Sequence, residues 1–221
     1  MLGLVTIGQT PRPDFETAFR EYVPGVDFQI VGVLDGMSTD DIAELESESG
    51  GYPLHMLLAD GSTADIQLDT MAPLVEDRMR ALVSDGAHAV GLLCTGRFPR
   101  FEVGVPVLDP GSLLPAIAGA IAPSRRVGVV TPIESQVDIV REIWEGDGFS
   151  VTVAVDSPYH EGGIEAAAAV MADARPEVVI LDCMGLGPEY RDEFARLSGV
   201  PAIAAQTLLA KVAGEVAGGL S

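Results

Sequence analysis

Two apolar runs, one in each half of the chain, have the composition of buried strands and end in the same way. Residues 90–93 lead into Cys94-Thr95-Gly96, and residues 178–181 lead through Asp182 into Cys183-Met184-Gly185. The chain has no other cysteine. Continuous apolar runs of this kind are typical of strands in a parallel sheet, and α/β proteins place reactive groups at the carboxyl ends of such strands. The paired motifs predict an α/β fold built from two related halves.

The rest of the chain alternates apolar runs with amphipathic stretches, which predicts βαβ units and mainly parallel sheets. In the first half we predict strands over 2–7, 28–34 and 89–93, and helices over 14–22 and 73–85. A further helix is predicted to begin at about residue 38, within the acidic stretch 35–50. An Asp60-Gly61 turn between the apolar runs 54–58 and 64–68 predicts a β-hairpin. In the second half we predict strands over 126–130, 150–155, 178–181 and 201–204, and helices over 135–146, 164–174, 190–197 and 207–217.

The two halves match at further places, which predicts a duplicated α/β lobe. Besides the cysteine motifs, residues 2–6 match residues 127–131, and residues 104–107 match residues 199–202. Residues 2–6 lie further from Cys94 along the chain than residues 127–131 lie from Cys183. This difference places an insertion at about 36–72, where the acidic helix and the hairpin fall.

The matches also predict how the chain divides into domains. We expect an N-terminal lobe of residues 1–105 and 205–221, which carries the insertion, and a C-terminal lobe of residues 106–204. In proteins made of two such lobes, the junction between the lobes is a common position for a small-molecule site.

Composition excludes several classes of function. The net charge is −20 and the pI is about 4.2, whereas a surface that binds nucleic acid needs clustered Lys and Arg, so we expect no nucleic-acid partner. No apolar stretch approaches the roughly 20 residues that span a bilayer, so we expect no membrane partner. Residues 1–5 have the pattern of a strand and lack a basic leader, which favours a cytoplasmic location.

The sequence also lacks the signatures of common cofactors. The two cysteines and three scattered histidines do not have the spacing of a zinc site, and a structural disulfide is not expected in a cytoplasmic chain. No glycine-rich dinucleotide fingerprint follows the first predicted strand, and no P-loop occurs. The single lysine, Lys211, falls in the last predicted helix, which is a poor position for holding pyridoxal phosphate. We therefore expect a site without metal or cofactor.

The loop after the first predicted strand contains the first set of candidate ligands. Gly8, Gln9, Thr10 and Arg12 lie in it, and a backbone N–H group, a hydroxyl and the guanidinium fork of Arg12 suit a substrate carboxylate. Alternatively, this loop only connects a strand to a helix, and Arg12 lies in solvent.

Corresponding loops contribute further candidates. Thr131 and Ser135 follow the matching strand of the second half, where both hydroxyls bind a ligand or Ser135 caps the next helix. Tyr159 ends a Ser-Pro-Tyr turn, which contributes a hydroxyl to the site or is purely structural. Arg97 and Arg100 follow Cys94 and either supply positive charge to the site or lie on the surface.

The surroundings of the two cysteines suit reactive thiols. Thr95-Gly96 and Met184-Gly185 offer backbone N–H groups, and each cysteine lies at a turn toward a helix, where a thiolate is stabilised. A free cysteine otherwise behaves as a small buried apolar residue, but the matched positions favour the functional interpretation. Two facing thiols suit stereoinversion, because one removes a proton from the α-carbon and the other delivers a proton to the opposite face. N–H and hydroxyl donors would stabilise the enolate-like intermediate.

Four segments in order along the chain resemble the AroM family: LVTIGQTPRPDF at the start, then LLCTGRFP, SPY and ILDCMG. The resemblance covers essentially the whole chain, and the family is similar in turn to the aspartate/glutamate racemase superfamily. The resemblance implies two pseudo-symmetric α/β lobes, with mainly parallel sheets and the active site in the cleft between the lobes. It also implies cysteines that act without a cofactor, with Cys94 and Cys183 in the acid/base positions and Gln9, Thr95, Thr131, Ser135 and Gly185 near the substrate.

The sequence departs from the amino-acid racemases of that superfamily next to both cysteines. Their motifs usually continue Cys-Asn-Thr and Cys-Thr-His, whereas here Thr95-Gly96 and Met184-Gly185 follow, so the second motif lacks the histidine. The resemblance therefore predicts the position of the site more specifically than its reaction.

These observations predict a cofactor-independent racemase or epimerase that acts on a small carboxylate or cyclic amide. One alternative is a cysteine-dependent isomerase or decarboxylase on the same scaffold, since the superfamily includes maleate isomerases and arylmalonate decarboxylases. Another is a non-catalytic protein that binds a small molecule. The expected partner is a small anionic or polar substrate.

Three interpretations of the apolar hairpin stay open. It forms a subunit contact in a homo-oligomer, it covers the cleft, or it packs within its own lobe.

Overall fold

The computed structural model describes residues 1–46, 51–159 and 162–218. The chain divides into two compact units: Met1–Pro110 with Leu209–Ser221, called unit 1, and Gly111–Leu208, called unit 2. Parts of two predicted segments, residues 47–50 of the acidic stretch and His160 after the Ser-Pro-Tyr turn, lie outside the described residues.

Unit 1 contains a parallel sheet with helices and one hairpin. Its elements in chain order are β1 (Leu2–Thr6), α1 (Pro13–Tyr22), β2 (Phe28–Gly32), α2 (Thr39–Glu46), β3 (Pro53–Leu57), β4 (Thr63–Gln67), α3 (Leu68–Ser84), β5 (Ala89–Leu93) and β6 (Val107–Leu108). The sheet has the order β2-β1-β5-β6, and every neighbouring pair is parallel. All residues of β1 and β5 are buried, which explains why these strands are continuous apolar runs.

Unit 2 repeats the parallel sheet with its helices, and its described residues contain no hairpin. Its elements are α4 (Pro110–Ile121), which begins at the unit boundary, β7 (Arg126–Thr131), a 3₁₀ turn (Glu134–Gln136), α5 (Val137–Gly146), β8 (Ser150–Val155), α6 (Ile164–Ala174), β9 (Val178–Leu181), α7 (Pro188–Ser198), β10 (Ala202–Ala204) and α8 (Ala205–Gly218), which continues into unit 1. The sheet order is β10-β9-β7-β8, again with parallel neighbours. The predicted α/β class with mainly parallel sheets is therefore confirmed.

The segment between β2 and α3 has no counterpart between β8 and α6 among the described residues. It begins with α2, whose first turn is fixed by Ser38: the Ser38 hydroxyl accepts from Asp41 N–H at 3.2 Å, and Asp41 accepts from Ser38 N–H at 3.0 Å. This reciprocal cap is what a Ser followed three residues later by a carboxylate predicts.

The hairpin β3–β4 is antiparallel, as the Asp60-Gly61 turn predicts, and pairs Leu54 with Ile66. Alternate residues point inward, so that Leu54 and Ile66 are buried in the core of unit 1 together with Met71 and Val75 of α3. The apolar face of the hairpin is thus used within its own unit, which was one of the three alternatives left open by the sequence.

Two helices begin elsewhere than predicted, and one helix and one strand were not predicted. Helix α3 begins at Leu68 rather than at Pro73, because a proline inside the helix looks like its start in a sequence. Helix α5 begins at Val137, after the 3₁₀ turn that takes residues 134–136. Helix α4 and strand β6 were not predicted, since Pro110 and Pro115 interrupt the helical pattern and β6 has only two residues. Among the described helices, none has the length and apolarity needed to cross a bilayer.

Gly8 is required by a close backbone approach, which gives a stability prediction. A Cβ at position 8 would lie 2.1 Å from the carbonyl oxygen of Leu57 in the hairpin, so Gly8→Ala must displace backbone rather than a flexible side chain. We expect a loss of about 1–3 kcal/mol in the free energy of unfolding, measured by urea denaturation. Gly146→Ala is the matched control, because a Cβ there meets nothing within 4 Å. Equal stability of the two variants would contradict the packing described here.

Candidate functional site

Cys94 follows β5, one of the two inner strands of the unit 1 sheet. Strand β1 pairs with β2 on one side and with β5 on the other, so the chain reverses its direction of winding at β1. In open α/β sheets, ligands bind outside the carboxyl ends of the strands at such a reversal. Cys94 comes directly after β5 and is therefore at this switch point.

Cys183 has the corresponding position in unit 2. Strand β7 pairs with β8 on one side and with β9 on the other. The strand β9 ends at Leu181, and the N–H group of Asp182 still donates to the carbonyl of Val130 in β7 at 2.8 Å. Cys183 is the next residue, so each unit carries one cysteine at the carboxyl end of the strand on the switch side.

The sulfur of Cys94 receives a backbone N–H group. Cys94 is 8% exposed, and the Gly96 N–H group points to its Sγ at 3.5 Å. Position 96 is crowded, since a Cβ there would lie 2.8 Å from Cδ2 of Leu54 in the hairpin. The hairpin therefore packs on the turn that supplies the N–H group, and an N–H donor favours the thiolate over the thiol.

Gln9, predicted to lie near a substrate, uses its side-chain amide within unit 1. Its Nε2 donates to the carbonyl of Leu34 at 3.2 Å, and its Oε1 accepts from the N–H group of Ala59 at 2.9 Å. Its own N–H group donates to Leu57 at 3.3 Å. Gln9 thus connects the loop after β1 with the loop after β2 and with the hairpin.

Thr10 is bound to Asp35, a residue that the sequence did not single out. The carboxylate of Asp35 accepts from the Thr10 N–H group at 2.7 Å, from the Thr10 hydroxyl at 2.9 Å and from the Gly32 N–H group at 2.7 Å. Arg78 donates to the backbone carbonyl of Asp35 at 3.1 Å. Asp35 therefore holds the loops after β1 and β2 together; its place just beyond a strand end was the only signal available in the sequence.

Arg12 is buried, and its guanidinium group is bound within unit 1. It is 4% exposed, and both arms of its guanidinium fork donate to the carboxylate of Asp14, at 2.9 and 2.6 Å. The guanidinium group also lies 3.8 Å from the ring centroid of Phe15. The alternative of a solvent-exposed Arg12 is wrong, and the fork that suited a ligand is occupied by a neighbour two residues away.

In unit 2, Thr131 is buried at the end of β7 and its hydroxyl donates to Oε1 of Gln136. Ser135 is exposed in the 3₁₀ turn and does not cap α5, which starts after Gln136. The proposed capping role of Ser135 is thus wrong, because the turn inserted before the helix moves its start. Gln136, which is 3% exposed, was not predicted.

The turns after β8 and β9 contact each other. A Cβ on Gly185 would lie 2.6 Å from Cγ of Pro158 and 3.3 Å from the hydroxyl of Tyr159. The carbonyl of Met184 accepts from Nε2 of Gln206 at 3.0 Å, and Gln206 is 3% exposed. The predicted residues Tyr159, Met184 and Gly185 are therefore adjacent, and Gln206 at the start of α8 fixes the turn after Cys183.

Buried Asp156 and partly buried Tyr190 form a polar pair beside this turn. The Tyr190 hydroxyl donates to Oδ2 of Asp156 at 2.6 Å. Burial raises the pKa of Asp156, an effect that the hydrogen bond from Tyr190 partly offsets. Burial, the hydrogen bond to Asp156 and the charges of Asp156, Cys183 and Glu165 raise the pKa of Tyr190.

The structure also shows how the side chains that could hold a metal ion or a cofactor are placed. Within the described residues, no three or more His, Cys, Asp or Glu side chains form a group that could hold a metal ion. The ammonium group of Lys211 lies 5.2 Å from the ring centroid of Tyr22.

Solved structures of several racemases and isomerases have a fold similar to that of this chain. Allantoin racemase from Pseudomonas fluorescens is similar over 98% of this chain and 90% of its own, with a TM-score of 0.62 and 18% identity. Maleate isomerase Iso from Pseudomonas putida S16 matches over 97% and 92%, with a TM-score of 0.63 and 13% identity. Glutamate racemase RacE1 from Bacillus anthracis matches over 100% and 82%, with a TM-score of 0.66 and 10% identity. The chain thus has the fold of the aspartate/glutamate racemase superfamily.

The particular family follows from the sequence. The family model described as AroM protein matches residues 2–217, so the chain belongs to the AroM family, and the predicted resemblance is confirmed. A comparison with curated protein sequences gave no match.

The role of Asp35 gives a testable prediction. In Asp35→Asn one oxygen becomes an NH₂ group, which cannot accept. At Oδ2 it loses the bonds from the Thr10 hydroxyl and the buried Gly32 N–H group, and at Oδ1 it loses the bond from the Thr10 N–H group. We expect a loss of about 1–3 kcal/mol in the free energy of unfolding, measured by urea denaturation. Asp173→Asn, at an exposed position of α6, is the control and should leave stability unchanged. A neutral Asp35→Asn would show that the loops are held by other contacts.

Proposed function

We propose that this AroM protein is a cofactor-independent racemase or epimerase, in which Cys94 and Cys183 act as acid and base at the α-carbon of a small carboxylate or cyclic amide. The observation that carries the proposal is the matched position of the two thiols, each after the strand on the switch side of its own sheet. A structural role for buried cysteines does not require such a match.

The proposed chemistry needs no reagent beyond the two thiols. A thiolate takes the α-proton, so that the C–H bond breaks, an S–H bond forms and the electron pair passes into an enolate. The thiol of the other cysteine then gives its proton to the opposite face of the same carbon. The intermediate requires donors aimed at its oxygen, and the backbone N–H groups of the turns after β5 and β9 are of the right kind.

The ligand groups that remain in the loops favour a substrate recognised by N–H and hydroxyl donors. The guanidinium fork of Arg12 is taken by Asp14, and the amide of Gln9 is taken by the backbone of unit 1. A cyclic amide or a small carboxylate fits such donors without an arginine clamp. Proteins of this fold include structures named as racemases of allantoin and of glutamate, which supports racemisation as the reaction to test first.

An isomerase or decarboxylase is the second candidate, because the two cysteines have different surroundings. Cys94 receives the Gly96 N–H group, whereas Cys183 belongs to an apolar cluster against which Tyr190 packs. Reactions that use one cysteine as the essential nucleophile or acid need only one of the two positions. Proteins of this fold also include a maleate isomerase and an arylmalonate decarboxylase.

Deuterium exchange distinguishes these candidates. Incubation in D₂O with separate D- and L-amino acids, D- and L-hydroxy acids and 5-substituted hydantoins, followed by ¹H NMR and chiral chromatography, should show loss of the α-hydrogen signal together with inversion. The proposal would be contradicted if no compound of the panel exchanged its α-hydrogen although at least one of them binds by calorimetry.

Single-cysteine variants test the pairing of the thiols. Cys94→Ser and Cys183→Ser should each lower the rate of inversion at least ~100-fold, since general acid–base groups contribute about 10²–10⁴ in rate. Each variant should still exchange the α-hydrogen of one enantiomer without inverting it, and the two variants should prefer opposite enantiomers. Loss of all activity in one variant and normal activity in the other would instead support the isomerase or decarboxylase.

A further inference from the structure

The turn that begins at Cys183 leaves two backbone donors unused. The N–H group of Leu186 donates to the carbonyl of Cys183 at 3.2 Å, which closes a β-turn over residues 183–186. Within the part of the chain that the structure describes, neither the N–H group of Met184 nor that of Gly185 makes a hydrogen bond. Met184 is nevertheless only 4% exposed, and buried N–H groups almost always have a partner. Two open donors therefore follow the cysteine directly along the chain.

The carbonyl groups of the same two peptides are both held. The carbonyl of Cys183 is bound by Leu186. The carbonyl of Met184 is bound by Nε2 of Gln206 at 3.0 Å. Neither peptide bond is cis, and a trans peptide directs its N–H group opposite to its C=O group. Each open N–H group therefore points away from the partner that holds its carbonyl, and its direction is fixed by that partner.

Gln206 is the buried side chain that holds the second of these peptides. It is 3% exposed and is the second residue of α8. The other end of its amide, Oε1, lies against Gly187, where a Cβ would be 3.3 Å away, so the amide spans the turn from Met184 to Gly187. An apolar side chain at position 206 would remove the only hydrogen bond that the described residues give to the Met184 carbonyl. The orientation of the peptide would then no longer be set by α8.

The matched turn in unit 1 uses its glycine differently. Gly96 corresponds to Gly185, since each follows a cysteine by two residues. The Gly96 N–H group donates to Sγ of Cys94 at 3.5 Å, so this donor is engaged by the chain itself. Of the two matched glycine N–H groups, the one in unit 2 is the one left for a ligand.

Two adjacent N–H donors suit an anionic oxygen. Successive backbone N–H groups without an internal partner form concave sites for anions. Donors whose direction is fixed beforehand also stabilise the charge that develops on an oxygen during a reaction, because they need no reorganisation at that moment. The residue that fixes the direction of such a donor is therefore important for the reaction although it does not touch the substrate.

We propose that Gln206 is a positioning residue, whose amide holds the Met184–Gly185 peptide so that the N–H groups of Met184 and Gly185 stay open for an oxygen of the substrate. This oxygen belongs to a carboxylate or to an amide carbonyl, and it becomes negative when the α-proton leaves. The inference deepens the proposed function and rests on it for the identity of that oxygen. The fixing of the peptide by Gln206 does not depend on the reaction.

A single NMR signal reports on the peptide that Gln206 holds. Met184-Gly185 is the only Met-Gly pair in the sequence, so full-length protein labelled with ¹³C at methionine carbonyl carbons and with ¹⁵N at glycine gives one HNCO signal. Its ¹³C′ shift follows the hydrogen bond to the Met184 carbonyl, and its ¹H shift follows an acceptor bound by the Gly185 N–H group. Malonate tests a carboxylate as the ligand, and 5-methylhydantoin tests a cyclic amide. We expect at least one of these probes to move the ¹H shift downfield until it saturates.

Gln206→Met keeps the length of the side chain and removes its N–H donor. We expect the ¹³C′ shift to move upfield, because the Met184 carbonyl loses its hydrogen bond. The affinity for the probe that binds should fall about tenfold, which is the effect of losing about one hydrogen bond. Gln29→Met is the control, since Gln29 is exposed on β2, and it should change neither the shift nor the affinity.

In the unsubstituted protein, a signal that neither probe moves would overturn the proposal, and this result depends on no variant. A folded Gln206→Met protein that binds the probe as tightly as the unsubstituted protein would also overturn it, even if the variant is less stable, because the role of Gln206 would then be structural only. If the signal responds as expected but no compound exchanges its α-hydrogen, the racemase function is rejected and the role of Gln206 stands. Exchange without a response of this signal leads to the reverse conclusion.

Discussion

Each unit depends on the strand at which its sheet changes direction of winding, where parallel neighbours lie on both sides. Strand β1 lies between β2 and β5, and β7 lies between β8 and β9. Parallel pairing brings the carboxyl ends of all three strands to one edge, and the registers place Thr6 level with Leu93 and Val130 level with Leu181. Since β1, β5 and β9 are entirely buried, polar side chains next to them along the chain lie in the loops that follow. The position of both cysteines is a direct consequence of this pairing.

The sequence predicts those features that depend on neighbouring residues. Apolar runs locate the strands, the Asp60-Gly61 turn locates the hairpin, and the cysteines follow from the ends of β5 and β9. Contacts between distant residues were not predictable. Asp35 binds Thr10 across 25 positions and Asp156 binds Tyr190 across 34, and nothing in either local segment specifies such a partner. Helix α4 escaped prediction for a different reason, because Pro115 inside it has the appearance of a break.

The polar residues of the loop after β1 show why residue type alone overestimates the number of ligands. Gln9 and Arg12 have the chemistry to bind a carboxylate, yet both are occupied by groups of their own unit, one by backbone carbonyl and N–H groups and the other by Asp14. Buried polar groups must be satisfied, and a strand-end loop pressed against a hairpin supplies the nearest partners. Residue type in a sequence therefore identifies groups that are able to bind a carboxylate, but not whether the fold has already used them.

The hairpin and the Asp156–Tyr190 pair make two matched positions chemically unlike. A catalyst that removes a proton on one face and adds one on the other must begin each turnover with one base and one acid. If both thiols had identical surroundings, the resting protein would be a mixture of forms, and only part of it would be ready for a given enantiomer. At Cys94 the hairpin side chain Leu54 packs on the turn whose N–H group donates to the sulfur. Cys183 instead belongs to an apolar cluster against which Tyr190 packs, and the Tyr190 hydroxyl donates to Asp156. In the proposed reaction, such a difference in surroundings is what would let one thiol serve as the base and the other as the acid.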